Sequence, residues 1–351
     1  MSSSRHIKSL QAARGIAAIL VVICHAAAFV GEEPSLWHRY SLFLWLRGTA
    51  LGVQLFFVLS GIVLYTAHRD DIRRQRNGAA FYWKRFRRIY PLYWIFLLPT
   101  LWKHSVSFTG DLAYMRDPWV IASSVLLVHL FSWQSIMVVS WSLFDEILFY
   151  LLFSVLLFHR RAGAILLSLW FLGALFFLNP TEMYWATIFS PNHLLFGMGI
   201  AVAWALEQGW HVRPRLFFWL GSLVFVACMA LDGWWTRGMA VRLVAGVGAT
   251  GILYGAAVLE RDEKWKVAGW LTFLGDASYS IYLAHFMVVS VVARFCYAHW
   301  GRLPVPIGVW LVVLIGCGVA VGIGVYLAIE RPLLALLGKR KQRSLSLVSL
   351  S

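Results

Sequence analysis

Residues 10–30 read LQAARGIAAILVVICHAAAFV, an apolar run broken only by Gln11, Arg14 and His25. At about 1.5 Å of helical rise per residue, the run is about as long as the roughly 30 Å hydrocarbon core of a bilayer. Its apolar residues are continuous and do not alternate with period two, which argues for a spanning helix and against a barrel strand. The rest of the chain has the same character. Of 351 residues, 60% are hydrophobic and 13% charged, mean hydropathy is +0.70, and there are 19 Trp. A soluble domain carries about 25% charged residues. A soluble enzyme, a disordered chain and a collagen-like chain are thereby excluded.

The expectation is an all-α, polytopic integral membrane protein with about ten transmembrane helices. Apolar segments near 10–30, 48–67, 89–103, 141–158, 162–178, 184–206, 216–232, 239–259, 270–297 and 305–329 are the spans. An eleventh segment, 118–133, is short and is diluted by Pro118, Ser123, Ser124, His129 and Ser132. If it does not span and both termini are cytoplasmic, most of the 31 Lys and Arg fall in cytoplasmic segments; if it spans, the bias disappears. The positive-inside rule selects the first topology. Segment 118–133 then becomes a short re-entrant or surface helix, tolerable at membrane depth only where protein covers its backbone.

The net charge of +15 sits mostly between the apolar segments, so it reads as orientation and contact with membrane lipid; no nucleic acid partner is expected. Cys24, Cys228, Cys296 and Cys317 lie singly in apolar stretches and supply neither a disulfide framework nor metal-ligand spacing. No metal is expected. Residues 1–338 form one membrane domain in this reading, and 339–351 a basic, then Ser-rich, cytoplasmic tail.

Ionisable groups inside a bilayer are costly and mark function by default. Arg14 and His25 are eleven residues apart, so they share a helix face about 16 Å apart along the axis. A neutral imidazole at that depth suits general-base work on a hydroxyl, and suits a proton relay equally. Arg85 and Arg88, at i and i+3, present two guanidinium forks on one side. Such forks bind phosphate oxygens and also set topology. In Trp141-Ser142-Leu143-Phe144-Asp145-Glu146, Ser142, Glu146 and Tyr150 form an i, i+4 stripe that opens a span from the external side. Glu146 is expected at the outer depth of His25, to orient the imidazole or meet a substrate hydroxyl. Asp145 reads as a first-turn acid complementing the helix dipole. Ser278, Tyr282 and His285 form a further stripe, of a kind that more often packs helices than does chemistry. Glu330 and Arg331 read as a pair that satisfies itself at the cytoplasmic face.

Together these segments resemble the acyltransferase 3 family of membrane acyltransferases, over nearly the whole chain. Leu10 through His25 is similar to its first-helix arginine–histidine motif, and Gly52-Val53-Gln54-Leu55-Phe56-Phe57-Val58-Leu59-Ser60-Gly61 to its second-helix signature. Arg85-x-x-Arg88-Ile89-Tyr90-Pro91 resembles its paired-arginine motif. Trp141-Ser142-Leu143-x-x-Glu146-x-x-Phe149-Tyr150 and Ser278-Tyr279-Ser280-x-Tyr282-Leu283-x-His285 resemble two later ones. Gln54 departs from the pattern, standing where many members are acidic, and the residues flanking Glu146 differ as well.

The resemblance implies an acyl-CoA donor, usually acetyl-CoA, and a saccharide hydroxyl acceptor such as an exopolysaccharide, an O-antigen or a lipid-linked precursor, at the bacterial cytoplasmic membrane. It makes His25 and Glu146 catalytic candidates, and Arg14, Arg85 and Arg88 candidates for binding CoA. Trp141, Ser142, Tyr150, Ser278, Tyr282 and His285 become candidates for contact with the acceptor. The rival class, a transporter or flippase of protons or a lipid-linked glycan, uses the same buried His25, His285 and Glu146. It calls for inverted repeats or paired broken helices, and the sequence displays neither.

Overall fold

The computed structural model describes residues 7–31, 44–75, 78–106, 114–129, 134–176, 183–234, 238–300 and 305–338. The expected tail at 339–351 and residues 130–133 of the doubtful segment lie outside these. All regular elements among the described residues are helical. In chain order they are α1 (Lys8–Gly31), α2 (Gly52–Arg74), α3 (Gly78–Val106), α4 (Pro118–Leu126), α5 (Trp141–Phe158), α6 (Arg160–Phe176), α7 (Met183–Ile188), α8 (His193–Glu207), α9 (Pro214–Trp234), α10 (Met239–Arg261), α11 (Gly269–Asp276), α12 (Ser278–Trp300) and α13 (Ile307–Val325). A 3₁₀ stretch, Leu44–Leu51, leads into α2, and a π-helical turn, Tyr326–Glu330, follows α13.

Seven helical segments among the described residues are long and apolar enough to cross a membrane: Lys8–Val30, Trp45–Arg74, Val138–Phe158, Pro214–Asp232, Met239–Arg261, Ser278–Trp300 and Ile307–Gly338. The count of ten does not follow from length and hydropathy, for a local reason in each remaining case. α6 and α8 have 17 and 15 residues, below the roughly 20 that a perpendicular span needs. α3 has 29 residues, but its first turns carry the basic cluster and its apolar part is diluted by Tyr, Trp and Pro residues, Pro91 and Pro99 among them. Many large apolar side chains face outward, among them Trp219, Leu223 and Val226 on α9, Leu169 and Leu172 on α6, and Val291 and Phe295 on α12. In water such a surface would aggregate; in lipid it is the expected exterior. This is a multi-pass membrane protein.

Of the doubtful segment, residues Pro118–Leu126 form a short helix. α4 has 9 residues, starts on the Asp117 side chain, which accepts from Trp119 N, and ends at Leu127 with φ 53°. At about 1.5 Å per residue it covers less than half a bilayer core. Its last carbonyls are bound by side chains near the middle of α3. Tyr93 OH donates to Ser124 O at 2.8 Å, Tyr90 OH to Leu126 O at 2.7 Å, and Trp94 Nε1 to Val125 O at 3.0 Å. A helix ending at membrane depth needs such partners for its last carbonyls.

α1 runs through the centre. It packs against α2, α11, α12, α13 and the 3₁₀ stretch. One face, with Ala17 and Val21, joins the main core; another, with Val22, Ala26 and Val30, packs on Ile281, Val289 and Leu314. The first amides of α1, those of Lys8 and Ser9, are capped by the Glu260 carboxylate at the end of α10, at 2.8 and 2.6 Å. Gly275 of α11 lies against the Gln11 carbonyl, leaving no room for a Cβ. Gln11 Nε2 donates to Asp276 at 2.6 Å nearby. These contacts hold Arg14, one turn further along α1, against α3, α5 and α12.

Candidate active site

Five helices meet around a cavity of about 110 Å³ at the end of the bundle that holds the α1 N-terminus. Arg14 enters from α1, Ser60 with Phe56 and Phe57 from α2, Arg85 and Arg88 from α3, Ser142, Glu146 and Tyr150 from α5, and Ser278, Tyr279 and Tyr282 from α12. Most of the sequence-derived candidates therefore share one space. Trp141 does not line it: the ring is 40% exposed and packs edge-on against Phe57 at 6.1 Å. His25 and His285 also lie outside the lining.

The three arginines are held differently. Arg88 Nη1 donates to Glu330 Oε1 at 2.5 Å, and the guanidinium lies over the Tyr279 ring at 5.6 Å. Glu330 is 2% exposed, and its other oxygen accepts from Ser280 Oγ at 2.5 Å. Glu330 thus pairs with Arg88, not with its neighbour Arg331, because the π-helical turn directs it into the bundle. Among the described residues Arg85 has no carboxylate partner. Its Nη2 donates to His68 Nε2 at 3.3 Å, it lies 5.2 Å from the Tyr150 ring centroid, and its buried Nε has no partner among the described residues. His68, 2% exposed, donates through Nδ1 to Asp71 at 2.9 Å. Since Nδ1 carries the proton, neutral His68 offers a lone pair at Nε2, which suits the guanidinium. Arg14 completes the set and makes no ion pair with any described carboxylate.

Glu146 faces the arginines. Its Oε1 accepts from Ser60 Oγ at 3.0 Å and from the Tyr150 hydroxyl. It does not orient His25. Its hydrogen bonds go instead to Ser60 of α2 and to Tyr150 one turn along its own helix. Charge is unevenly spread: with Arg88 offset by Glu330, Arg14 and Arg85 outweigh Glu146, and the cavity is cationic. Tyr282 closes one wall, its hydroxyl bound to Val139 O at 2.6 Å and Ser142 Oγ at 2.7 Å. Ser278 contributes a buried hydroxyl without a partner among the described residues.

One helical turn past Tyr282, His285 meets His25. His285 Nε2 lies 3.2 Å from His25 Nδ1, with ring centroids 5.0 Å apart, and Phe286 sits edge-on to His25 at 5.3 Å. The i, i+4, i+7 stripe of α12 thus joins the cavity wall to the imidazole pair. Asp145 is elsewhere. It is buried against His193 Nε2 at 3.2 Å, with Trp170 stacked on His193 at 4.3 Å, and so is not a solvent-facing first-turn acid.

Sequence reasoning missed His68, Asp71, Tyr279 and Glu330. His68 and Asp71 have an i, i+3 spacing that could have been noticed, but they lie in a charged stretch that reads as a loop; the structure continues α2 through it to Arg74. Tyr279 reads as one more aromatic, and nothing local connects Glu330 with Arg88. Among the described residues no cluster of His, Cys, Asp or Glu suited to a metal ion occurs.

A cavity lined by three arginines and an acid, with an imidazole pair one helical turn away and apolar helices around both, belongs to a multi-pass membrane protein. The chain belongs to the acyltransferase 3 family: the family's acyltransferase domain matches residues 7–329. Curated relatives include the exopolysaccharide production protein ExoZ of Rhizobium meliloti, 30% identical over 81% of this chain and 89% of the relative. The peptidoglycan O-acetyltransferase OatA of Listeria monocytogenes is 23% identical over 82% of this chain and 50% of the relative. The acyltransferase MdmB of Streptomyces mycarofaciens is 25% identical over 95% and 93%, respectively. No solved structure matches the chain significantly.

Proposed function

We propose that this protein takes an acetyl group from cytoplasmic acetyl-CoA and transfers it to a hydroxyl of a cell-surface or lipid-linked saccharide at the bacterial cytoplasmic membrane. The observation that carries the reading is the joining of two features along α12: a cavity holding Arg14, Arg85 and Arg88, and the His25–His285 pair a turn beyond it. Arginine forks suit phosphate oxygens. The saccharide acceptor is supported by relatives named for exopolysaccharide production and peptidoglycan O-acetylation. The basic segments favour both termini on the cytoplasmic side with ten spans, α3, α6 and α8 included.

In this reading the CoA phosphates bind Arg85 and Arg14, with Arg88 framing the site through Glu330. The pantetheine arm follows α1 towards His25, about 16 Å beyond Arg14. The acceptor hydroxyl gives its proton to His25, and its oxygen attacks the thioester carbonyl. The tetrahedral intermediate collapses, the C–S bond breaks, and the CoA sulfur takes the proton from His25. Ester and free CoA are the products. Glu146, held by Ser60 and Tyr150, binds an acceptor hydroxyl, with Ser142, Ser278 and Tyr282 lining its approach.

The test uses purified protein in lipid nanodiscs titrated with acetyl-CoA, following binding and thioester cleavage. Wild type should bind and cleave, His25→Ala should bind without cleaving, and Arg85→Gln should bind weakly. A monodisperse wild type that does not bind acetyl-CoA would remove the donor assignment and favour a transporter.

A further inference from the structure

The hydrogen bonds of the imidazole pair place its protons by elimination. His285 Nδ1 lies 2.7 Å from Tyr282 O and 3.2 Å from Ile281 O. Carbonyl oxygens only accept, so Nδ1 bears the proton and, in the neutral ring, Nε2 is a lone pair. The atom facing that lone pair is His25 Nδ1, which is also 3.0 Å from Val21 O. His25 Nδ1 therefore donates, shared between a backbone carbonyl and His285. The basic nitrogen of neutral His25 is then Nε2.

We propose that His285 is the positioning partner of His25: it keeps the Nδ1–H tautomer and ring orientation, and stabilises the imidazolium formed when His25 Nε2 takes the acceptor's proton. The proposal rests on His25 being the base of the acyl transfer. It moves His285 from contact with the acceptor to action through another residue. His285 is fully buried, and Phe29 and Phe286 pack in the same aromatic cluster as His25. Protonation at Nε2 turns the Nδ1–H bond to His285 into a charge-assisted one, roughly twice as strong as its neutral form. In a Ser-His-Asp triad the same place, behind the base, is held by a carboxylate. Here a neutral imidazole holds it, with its own tautomer set by the α12 backbone.

Two substitutions separate this role from packing. In His285→Asn the side-chain amide can still donate to Tyr282 O but is too short to reach His25. In His285→Gln the amide oxygen can occupy the place of Nε2 and accept from His25. Each is compared with wild type as full-length protein in nanodiscs carrying ¹⁵N-labelled histidine, with the His25 signals assigned by their loss in His25→Gln. Three quantities are read: the His25 tautomer, the affinity for acetyl-CoA, and the single-turnover rate of acetyl transfer or thioester cleavage. His285→Asn should lose the single Nδ1–H tautomer and slow the chemical step by about 10- to 100-fold, the worth of one hydrogen bond to a charged group. Its acetyl-CoA affinity should remain that of wild type, since His285 does not line the cavity. His285→Gln should restore most of the rate and the tautomer. Retention of wild-type rate and tautomer by His285→Asn would overturn the proposal, as would an equal loss in both variants. Cleavage by His25→Ala at the wild-type rate would instead overturn the assignment of His25 as base.

Discussion

Arg88 and Glu330 stand 242 positions apart in the chain and form a partly buried ion pair, with Arg88 Nη1 2.5 Å from Glu330 Oε1. The pair ties α3 to the turn after α13, and Ser280 of α12 binds the second carboxylate oxygen. One of the paired arginines is thereby neutralised before any ligand arrives.

Glu330→Ala leaves Arg88 without its counter-ion. The Arg88 side chain is 27% exposed and Glu330 2%, so the cost should fall near the low end for a broken buried pair, about 3 kcal/mol. Thermal unfolding in detergent measures it. The double variant Arg88→Met with Glu330→Leu should recover much of that loss; a double variant as unstable as the sum of its parts would show that the two groups are not coupled.

Arg85, not Arg88, should dominate affinity for acetyl-CoA, because of these two arginines Arg88 is paired with a carboxylate and Arg85, among the described residues, is not. Arg85→Gln is expected to raise the dissociation constant by about tenfold or more, as loss of a charge-assisted bond does. His68→Leu should weaken binding in the same direction by a smaller factor, because it removes the group that Arg85 Nη2 rests on. Isothermal titration with the nanodisc protein gives both values, and an unchanged His68→Leu would assign that histidine to packing alone.

Tyr93→Phe removes the hydroxyl that binds Ser124 O at the end of α4. Tyr93 is fully buried, so the carbonyl is left short of a partner at a cost of about 1–3 kcal/mol. Exposed serine substitutions should show nothing comparable. Hydrogen exchange localised to 118–128 reads the loosening directly.

Gly61 and Gly199 let α2 and α8 approach backbone to backbone: a Cβ on Gly61 would meet Phe196 O, and one on Gly199 would meet Val58 O. Small residues at such crossings are what membrane helices use to pack closely. Alanine at either position should cost about 1–3 kcal/mol by overpacking, seen as a lower unfolding temperature. Gly316→Ala, where a Cβ meets nothing nearby, is the control and should be near neutral.

The sequence by itself determined the solvent this chain folds in and most of the spans. Continuous apolar runs at near-bilayer length are a local property, and α1, α5, α9 and α10 lie close to those runs, whereas the run at 270–297 is divided at Ala277 into α11 and α12. It also brought forward eight of the residues that line the cavity, Arg14, Arg85, Arg88, Ser142, Glu146, Tyr150, Ser278 and Tyr282, because they recur at helical spacing within recognisable segments, while Ser60 and Tyr279 were not singled out and Trp141 lies outside. Pairing was decided only by the tertiary structure. Spacing along one helix puts residues on one face and says nothing of the helix opposite. So Glu330 goes to Arg88 across 242 residues, His285 and not Glu146 goes to His25, and Asp145 goes to His193. A hydrogen bond or ion pair reaches only about 3–4 Å, and only the packed bundle brings distant parts of the chain within that range.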